Sequence, residues 1–264
     1  MFANVSLISK VWSARPPHRH ILGMRVDSTS YVDATQRIMD WAGGRESRYV
    51  CVASVNNAME SYDSATFRRV MNEADLVTPD GMPLVCGLRL LGIVQASRVY
   101  GPDLTGFVLK RAAREGVPVG FYGSTPDVLK RLLTRVRELF PDLRVVYSES
   151  PPFRSITAGE DRETIDKVNT SGARILFIGL STPKQDRWMA EHCGQIQAVM
   201  IGVGAAFDFL SGTKRQAPRW MMAAGLEWVF RLFCEPRRLW RRYLWHNPRF
   251  VVLFGLQIFG LRRF

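Results

Sequence analysis

Short apolar runs alternate with longer amphipathic stretches along most of this chain. Tyr49-Val-Cys-Val-Ala-Ser-Val55 is almost wholly apolar and predicts a buried strand. Residues 57–74 set Ala58, Tyr62, Ala65 and Val70 among charges and predict a helix. A short strand over 75–78 and a mostly apolar helix over 82–91 follow. Pro102 opens an amphipathic stretch reaching 115, and proline suits the first turn of a helix. The second half repeats the rhythm. Strands are predicted over 117–122, 143–147, 174–179 and 198–203, and helices over 125–140, 160–170 and 183–193. A Pro/Ser-containing loop spans 148–159. Strands this apolar are buried on both faces, as in a parallel sheet. Their alternation with helices predicts an α/β fold with a doubly wound, mainly parallel, Rossmann-like sheet.

After Gly212 the pattern changes. Residues 217–233 read as a long apolar helix, which Pro236 ends. Over 237–245, two basic residues alternate with two apolar ones. Helical spacing puts Arg237, Arg238, Arg241 and Arg242 on one face and Leu239, Trp240, Tyr243 and Leu244 on another. The expected organisation is an N-terminal extension over 1–20, an α/β domain over 21–212 and a helical, basic, membrane-associating appendage over 213–264. Charge sharpens this division. Eleven Lys/Arg and two Glu fall in the last 54 residues, so nine of the twelve net positive charges lie there. A nearly neutral body with a basic, aromatic tail points to an anionic partner at the tail: a membrane surface, a phosphorylated lipid or a nucleic acid. The apolar run over 250–260 is about half the ~20 residues of a spanning helix. It is expected to lie at a membrane interface, so a cut after Pro218 should leave a folded, soluble body that no longer binds membranes. Lys10 and Arg15 interrupt the N-terminus, which does not read as a signal peptide.

Candidate chemistry collects at the predicted strand ends, where open α/β sheets bind ligands. Those positions hold Ser54, Asn56 and Asn57; Thr78 and Asp80; Gly123, Ser124 and Thr125; Thr182, Lys184 and Gln185; and Gly202, Gly204 and Asp208. Glycine turns that open helices, as at Gly123 and before Lys184, can aim backbone N–H groups at an anion. Asp80 lies in a Pro-Asp-Gly turn and could take a proton from a hydroxyl. Arg98 could be a surface charge or a phosphate ligand. Cys51, Cys86, Cys193 and Cys234 form no C-x-x-C pair, which excludes a zinc finger and a disulfide framework. The chain has no Asp-x-Asp, no P-loop, no H-E-x-x-H and no G-x-S-x-G, and only half of a dinucleotide fingerprint at Gly202. No metal and no cofactor are implied.

Eight motifs in order carry a resemblance. They are Ser54-Val-Asn56, Ala74-Asp-Leu-Val-Thr-Pro-Asp-Gly81, Arg98-Val-Tyr-Gly-Pro-Asp-Leu104, Gly179-Leu-Ser-Thr-Pro-Lys-Gln-Asp186, Gly202-Val-Gly-Ala-Ala-Phe-Asp208, Gly212-Thr-Lys-Arg-Gln-Ala-Pro218, Leu226-Glu-Trp-Val-Phe-Arg231 and Glu235-Pro-Arg-Arg-Leu-Trp-Arg241. From about residue 21 to 243 the chain resembles the WecG/TagA/CpsF glycosyltransferases. The resemblance implies an inverting transferase that moves a sugar from a UDP-sugar to a saccharide on an undecaprenyl diphosphate carrier. N-acetylmannosamine, N-acetylmannosaminuronate and glucose are candidate sugars. It implies a peripheral enzyme of cell-surface polysaccharide synthesis on the cytoplasmic face of the bacterial plasma membrane. Asp80 then resembles the general base, and Ser54, Asn56, Arg98 and Gln185 resemble residues of the sugar crevice. Arg231, Arg238 and Arg241 resemble arginines that meet the acceptor diphosphate. Ser54 for Thr, Ser181 for Gly and Asp186 for Glu are the departures. Lys184, Gly123, Gly202 and Gly204 are counted with the donor site, and Arg237 and Arg242 with the acceptor and membrane. The alternative reading is a non-catalytic nucleic-acid-binding α/β protein that uses the same tail. Oligomeric state stays open, a homo-oligomer included.

Overall fold

The computed structural model describes residues 15–262 and Phe264, so the predicted extension lies outside the described residues as far as residue 14. Six parallel strands form the central sheet. They are β3 (Arg48–Ala53), β4 (Leu76–Pro79), β5 (Val119–Gly123), β6 (Val145–Glu149), β7 (Ile175–Gly179) and β8 (Val199–Gly202), in the spatial order β4-β3-β8-β7-β5-β6. A separate antiparallel hairpin, β1 (His18–Ile21) and β2 (Met24–Asp27), precedes them. Alternate residues of each strand feed opposite layers, which places two apolar cores on the two faces.

One core takes Tyr49, Cys51, Leu176, Ile178 and Met200 from the sheet. It packs them against the hairpin and against α2 (Val55–Asp63), α3 (Ala65–Glu73), α4 (Met82–Leu90) and α8 (Lys184–His192). The other takes Val50, Val52, Phe121, Phe177 and Ile201. It is covered by α1 (Tyr31–Gly43), α5 (Gly101–Glu115), α6 (Pro126–Leu139) and α9 (Ala206–Leu210). Helix α7 (Ala158–Ser171) completes the first layer through Val168. The α/β, mainly parallel sheet read from the sequence is the observed fold.

Several boundaries differ from the sequence expectation. The helix predicted over 57–74 is two helices. Ser64 ends α2 and caps α3, its hydroxyl accepting from the Phe67 N–H at 3.2 Å. The helix predicted over 217–233 is also two, α10 (Arg219–Ala223) and α11 (Glu227–Cys234), separated at Gly225, whose φ of 71° no helix accepts. Pro236 does not merely break the chain. It occupies the first turn of α12 (Pro236–Ile258), which runs through Pro248 and joins the basic stretch to the apolar run.

That last helix is packed onto the body. Phe250 and Phe254 are buried in the hairpin-side core, their rings stacked with centroids 5.6 Å apart. A Cβ on Gly87 would lie 3.1 Å from the Phe254 ring, so α4 presents glycine where the aromatic lands. The Gln257 side chain accepts from the Leu22 N–H and donates to the His20 carbonyl. Arg249 forms a two-pronged ion pair with Asp63 of α2. The expectation that the whole 250–260 run lies at a membrane interface therefore holds for one side at most. Val251, Val252 and Phe259 face outward, while Phe250 and Phe254 do not. Among the described residues no helix is long and apolar enough to cross a membrane.

Candidate active site

The crevice lies at the carboxyl edge of the sheet. Helices α2, α4, α8 and α9 begin just beyond β3, β4, β7 and β8, and α5 starts beside them at Gly101. Their amino ends supply unpaired N–H groups and partial positive charge. Strand β4 delivers Asp80, whose N–H donates to the Ala53 carbonyl at the end of β3. This bond ties the Asp80 turn to the Ser54 turn. A Cβ on Gly101 would stand 3.9 Å from the Asp80 carboxylate, so the start of α5 comes close to it.

Two cavities meet at Asp80. One, of about 120 Å³, is predominantly polar. Its walls include Asn57, Tyr100, Thr182, Gln185, Gly202, Gly204 and Asp208. The other, of about 340 Å³, is predominantly apolar and runs between α4 and the C-terminal helices. Its walls include Met82, Pro83, Trp228, Tyr243, His246 and Phe250. Ser54, Asn56, Asp80, Arg231 and Arg242 line both. Arg238 faces the polar cavity and Arg98 the apolar one.

Of the residues singled out in the sequence, Gly123, Lys184, Arg237 and Arg241 line neither cavity. Gly123 has φ 124°, and a Cβ there would sit 2.7 Å from the Gly179 backbone, so its task is the close approach of two strand ends. Lys184, Arg237 and Arg241 are exposed. Arg241 lies over the Trp240 ring, 5.2 Å from its centroid.

The Asp80 side chain is 22% exposed and lines both cavities. Burial pushes its carboxyl up to about 6, Arg98 opposes this, and Glu227 adds to it. Arg98 donates from one terminal nitrogen to Asp80 at 3.0 Å and to Glu227 at 2.5 Å, and its Nε donates to the Asp80 carbonyl. Its guanidinium lies over the Tyr100 ring at 4.4 Å. A carboxyl poised near neutral pH beside a cavity can remove a proton from a hydroxyl.

Arg231 and Arg242 make no ion pair among the described residues, although each is partly buried. Burial, together with Arg231 and Arg238, pulls the Arg242 guanidinium down in basicity. Nearby Arg238 is held by Glu235 at 2.7 Å, and Lys214 bridges Glu235 to Asp208. Two unpaired guanidiniums on a shared wall are suited to an anion with several oxygens.

Beneath the polar cavity, Gln185 occupies space left by two glycines. A Cβ on Gly202 would come within 3.0 Å of its amide nitrogen and 2.6 Å of Met189. Asp186 is fully buried, and burial pushes its carboxyl up to about 6. Asn57 donates to Thr182 at 3.3 Å and reaches Asp186 at 3.5 Å, linking the turns after β3 and β7.

Glu227, Tyr100, Trp228 and Tyr243 are wall residues that the sequence reading did not select. Glu227 and Trp228 stand in the Leu226 motif and Tyr100 in the Arg98 motif, so the signal was present. Among the described residues no cluster of three or more His, Cys, Asp or Glu side chains is arranged to hold a metal ion.

The sequence model of the glycosyl transferase WecG/TagA/CpsF family matches residues 19–263. A relative from Bacillus spizizenii, N-acetylglucosaminyldiphosphoundecaprenol N-acetyl-beta-D-mannosaminyltransferase, is 30% identical over 206 residues, covering 77% of this chain and 77% of that protein. The match takes in the sheet, both cavities and the C-terminal helices, and the chain belongs to the WecG/TagA/CpsF family of glycosyl transferases.

Proposed function

We propose that this enzyme transfers a hexose or N-acetylhexosamine, with inversion, from a UDP-sugar to a saccharide carried on undecaprenyl diphosphate, in the synthesis of a cell-surface polysaccharide. The observation that carries the reading is the position of Asp80, a near-neutral carboxyl where a polar and an apolar cavity join. The polar cavity takes the UDP-sugar. The apolar cavity takes the acceptor sugar, whose faces suit Trp228 and Tyr243. The acceptor hydroxyl oxygen attacks the anomeric carbon from the side opposite the diphosphate. Asp80 takes the hydroxyl proton. The bond from the anomeric carbon to the diphosphate oxygen breaks, and its electron pair leaves with UDP. Arg231, Arg238 and Arg242 stabilise the charge that develops, together with the helix amino ends. Family membership is that of glycosyl transferases, so the non-catalytic nucleic-acid reading is not proposed.

The relative's acceptor is a diphosphoundecaprenol by name, so a GlcNAc-diphosphate-polyprenyl primer is the first to try. Incubated with a panel of UDP-sugars, the enzyme should release UDP and extend the primer with one of them. The absence of Asp-x-Asp and the supply of cations by arginine lead us to expect undiminished turnover in excess EDTA. Loss in EDTA with recovery on adding Mn²⁺ or Mg²⁺ would refute arginine as the leaving-group partner. No transfer from any UDP-sugar, with hydrolysis of the primer instead, would refute the reading as a whole.

We also propose that the protein works at the cytoplasmic face of the plasma membrane, held peripherally through its C-terminal helices. Support comes from the outward face of α12 and its C-cap Phe259, where Leu244, Trp245, Val251, Val252 and Phe259 are exposed beside Arg237 and Arg241. The protein should co-sediment with anionic liposomes. High salt should reduce this binding without abolishing it, since each basic residue contributes about 1 kcal/mol that salt screens while apolar burial persists. Equal recovery with neutral and anionic liposomes would count against the arginines.

A further inference from the structure

Arg98 is fixed on three sides. Its Nε is held by the Asp80 carbonyl, its plane rests on Tyr100, and one terminal nitrogen lies between Asp80 and Glu227. The two carboxylates come from distant parts of the chain. Asp80 follows β4, while Glu227 stands in the first turn of α11. We propose that Glu227 is a positioning residue that shares Arg98 with Asp80 and thereby keeps Asp80 a competent proton acceptor. This rests on the reading of Asp80 as the base.

Asp80 without Glu227 would face Arg98 alone, a full guanidinium charge at 3.0 Å. A carboxylate so paired holds protons poorly and is a weak base. Glu227 works against this in two ways. It draws off part of the guanidinium's charge, and its own negative charge opposes ionisation of Asp80. The other groups facing Asp80 are Tyr100 from the segment before α5, Tyr31 from α1, and Arg231, Arg242 and His246 from the C-terminal helices. Among the acids, Glu227 alone meets Asp80 through a shared cation. The C-terminal helices thus deliver a carboxylate to the base as well as cations to the substrates.

The test compares pH profiles of kcat/KM for wild type, Glu227→Gln and Glu227→Asp, using full-length enzyme and the substrate pair found above. Wild type should lose activity on its acid side near pH 6, where Asp80 becomes protonated. Glu227→Gln should move that acid limb down by about one to two pH units, from loss of a unit charge a few ångström away. Its plateau should fall by about three- to ten-fold, because a less basic carboxylate is a poorer proton acceptor. Glu227→Asp keeps the charge and should return the limb toward wild type. An acid limb that stays in place, with activity lowered by one factor at every pH, overturns the proposal. If Glu227→Gln is too slow to profile, the Asp80 carboxyl is titrated directly by its 13C signal, identified by its absence in Asp80→Asn. A lowered midpoint supports the sharing, and an unmoved one overturns it. Asp80→Asn also separates the two ideas: if that variant turns over normally, the base assignment fails whatever Glu227 does.

Discussion

Asp80→Asn should lower kcat by about 10²–10⁴, the usual worth of a general base. Asparagine keeps the planar side chain, and its amide oxygen still accepts from Arg98, so the local fold should survive. What disappears is the atom that can take the acceptor's proton. UDP binding should change little, since Arg231, Arg238, Arg242 and the helix amino ends remain on the polar cavity. Calorimetric titration with UDP against steady-state turnover separates the two quantities. A variant that binds UDP and turns over within a few-fold of wild type removes Asp80 from the role. A variant that loses UDP affinity and kcat together places it in donor binding instead.

The second large effect is on stability. Phe254→Ala should destabilise the protein by about 3–5 kcal/mol, the range for emptying a buried aromatic site. For a chain of this length that lowers Tm by roughly 10 °C. The ring lies over Gly87 beside Ile21 and stacks on Phe250, so its removal empties a space between three elements. Cutting the chain after Pro218 should do more harm. It would remove both rings and Gln257, uncovering the hairpin and the outer face of α4. The sequence led us to expect a soluble body from this cut. Given the packing of α12, we expect an aggregating fragment with no cooperative melt. A truncated protein that melts cooperatively at the wild-type temperature would show that the appendage is independent of the body after all.

This reversal shows which parts of the molecule could be read in advance. Five of the six parallel strands were legible because both faces are apolar, as in Arg174-Ile-Leu-Phe-Ile-Gly179, while β6 at the sheet edge is half polar. The hairpin and α1 were not, because charges hide them. All four residues of β2 are buried, yet two of them are Arg25 and Asp27, which pair with each other at 3.1 Å. Arg37 likewise sits on the buried side of α1, in an ion pair with Asp33. Hydrophobic periodicity cannot register a charge neutralised in place. The 250–260 run was only half legible, for a related reason. Its composition suits a membrane interface, but composition carries no information about which side of α12 faces the body. At the crevice, strand-end rules pointed to Ser54, Asn56, Asp80 and Gln185, since those rules follow from sheet geometry. Glu227 belongs to no strand end and meets Arg98 across 129 positions of chain, a relation only the folded structure displays.

The sheet order also bears on how this protein is made. Strand β3 lies between β4 and β8, and Arg48 pairs with Val199, so roughly 150 residues must be synthesised before that ladder can close. Until then the nascent β3–β4 pair carries an open, strongly apolar edge, the kind of edge that recruits strands from other chains. Ser54 and Asp80 are translated early, and Arg231 and Arg242 follow roughly 150 residues later. The growing chain therefore holds half a binding pocket until residues 227–254 arrive, and the seating of Phe254 brings the remaining wall into place.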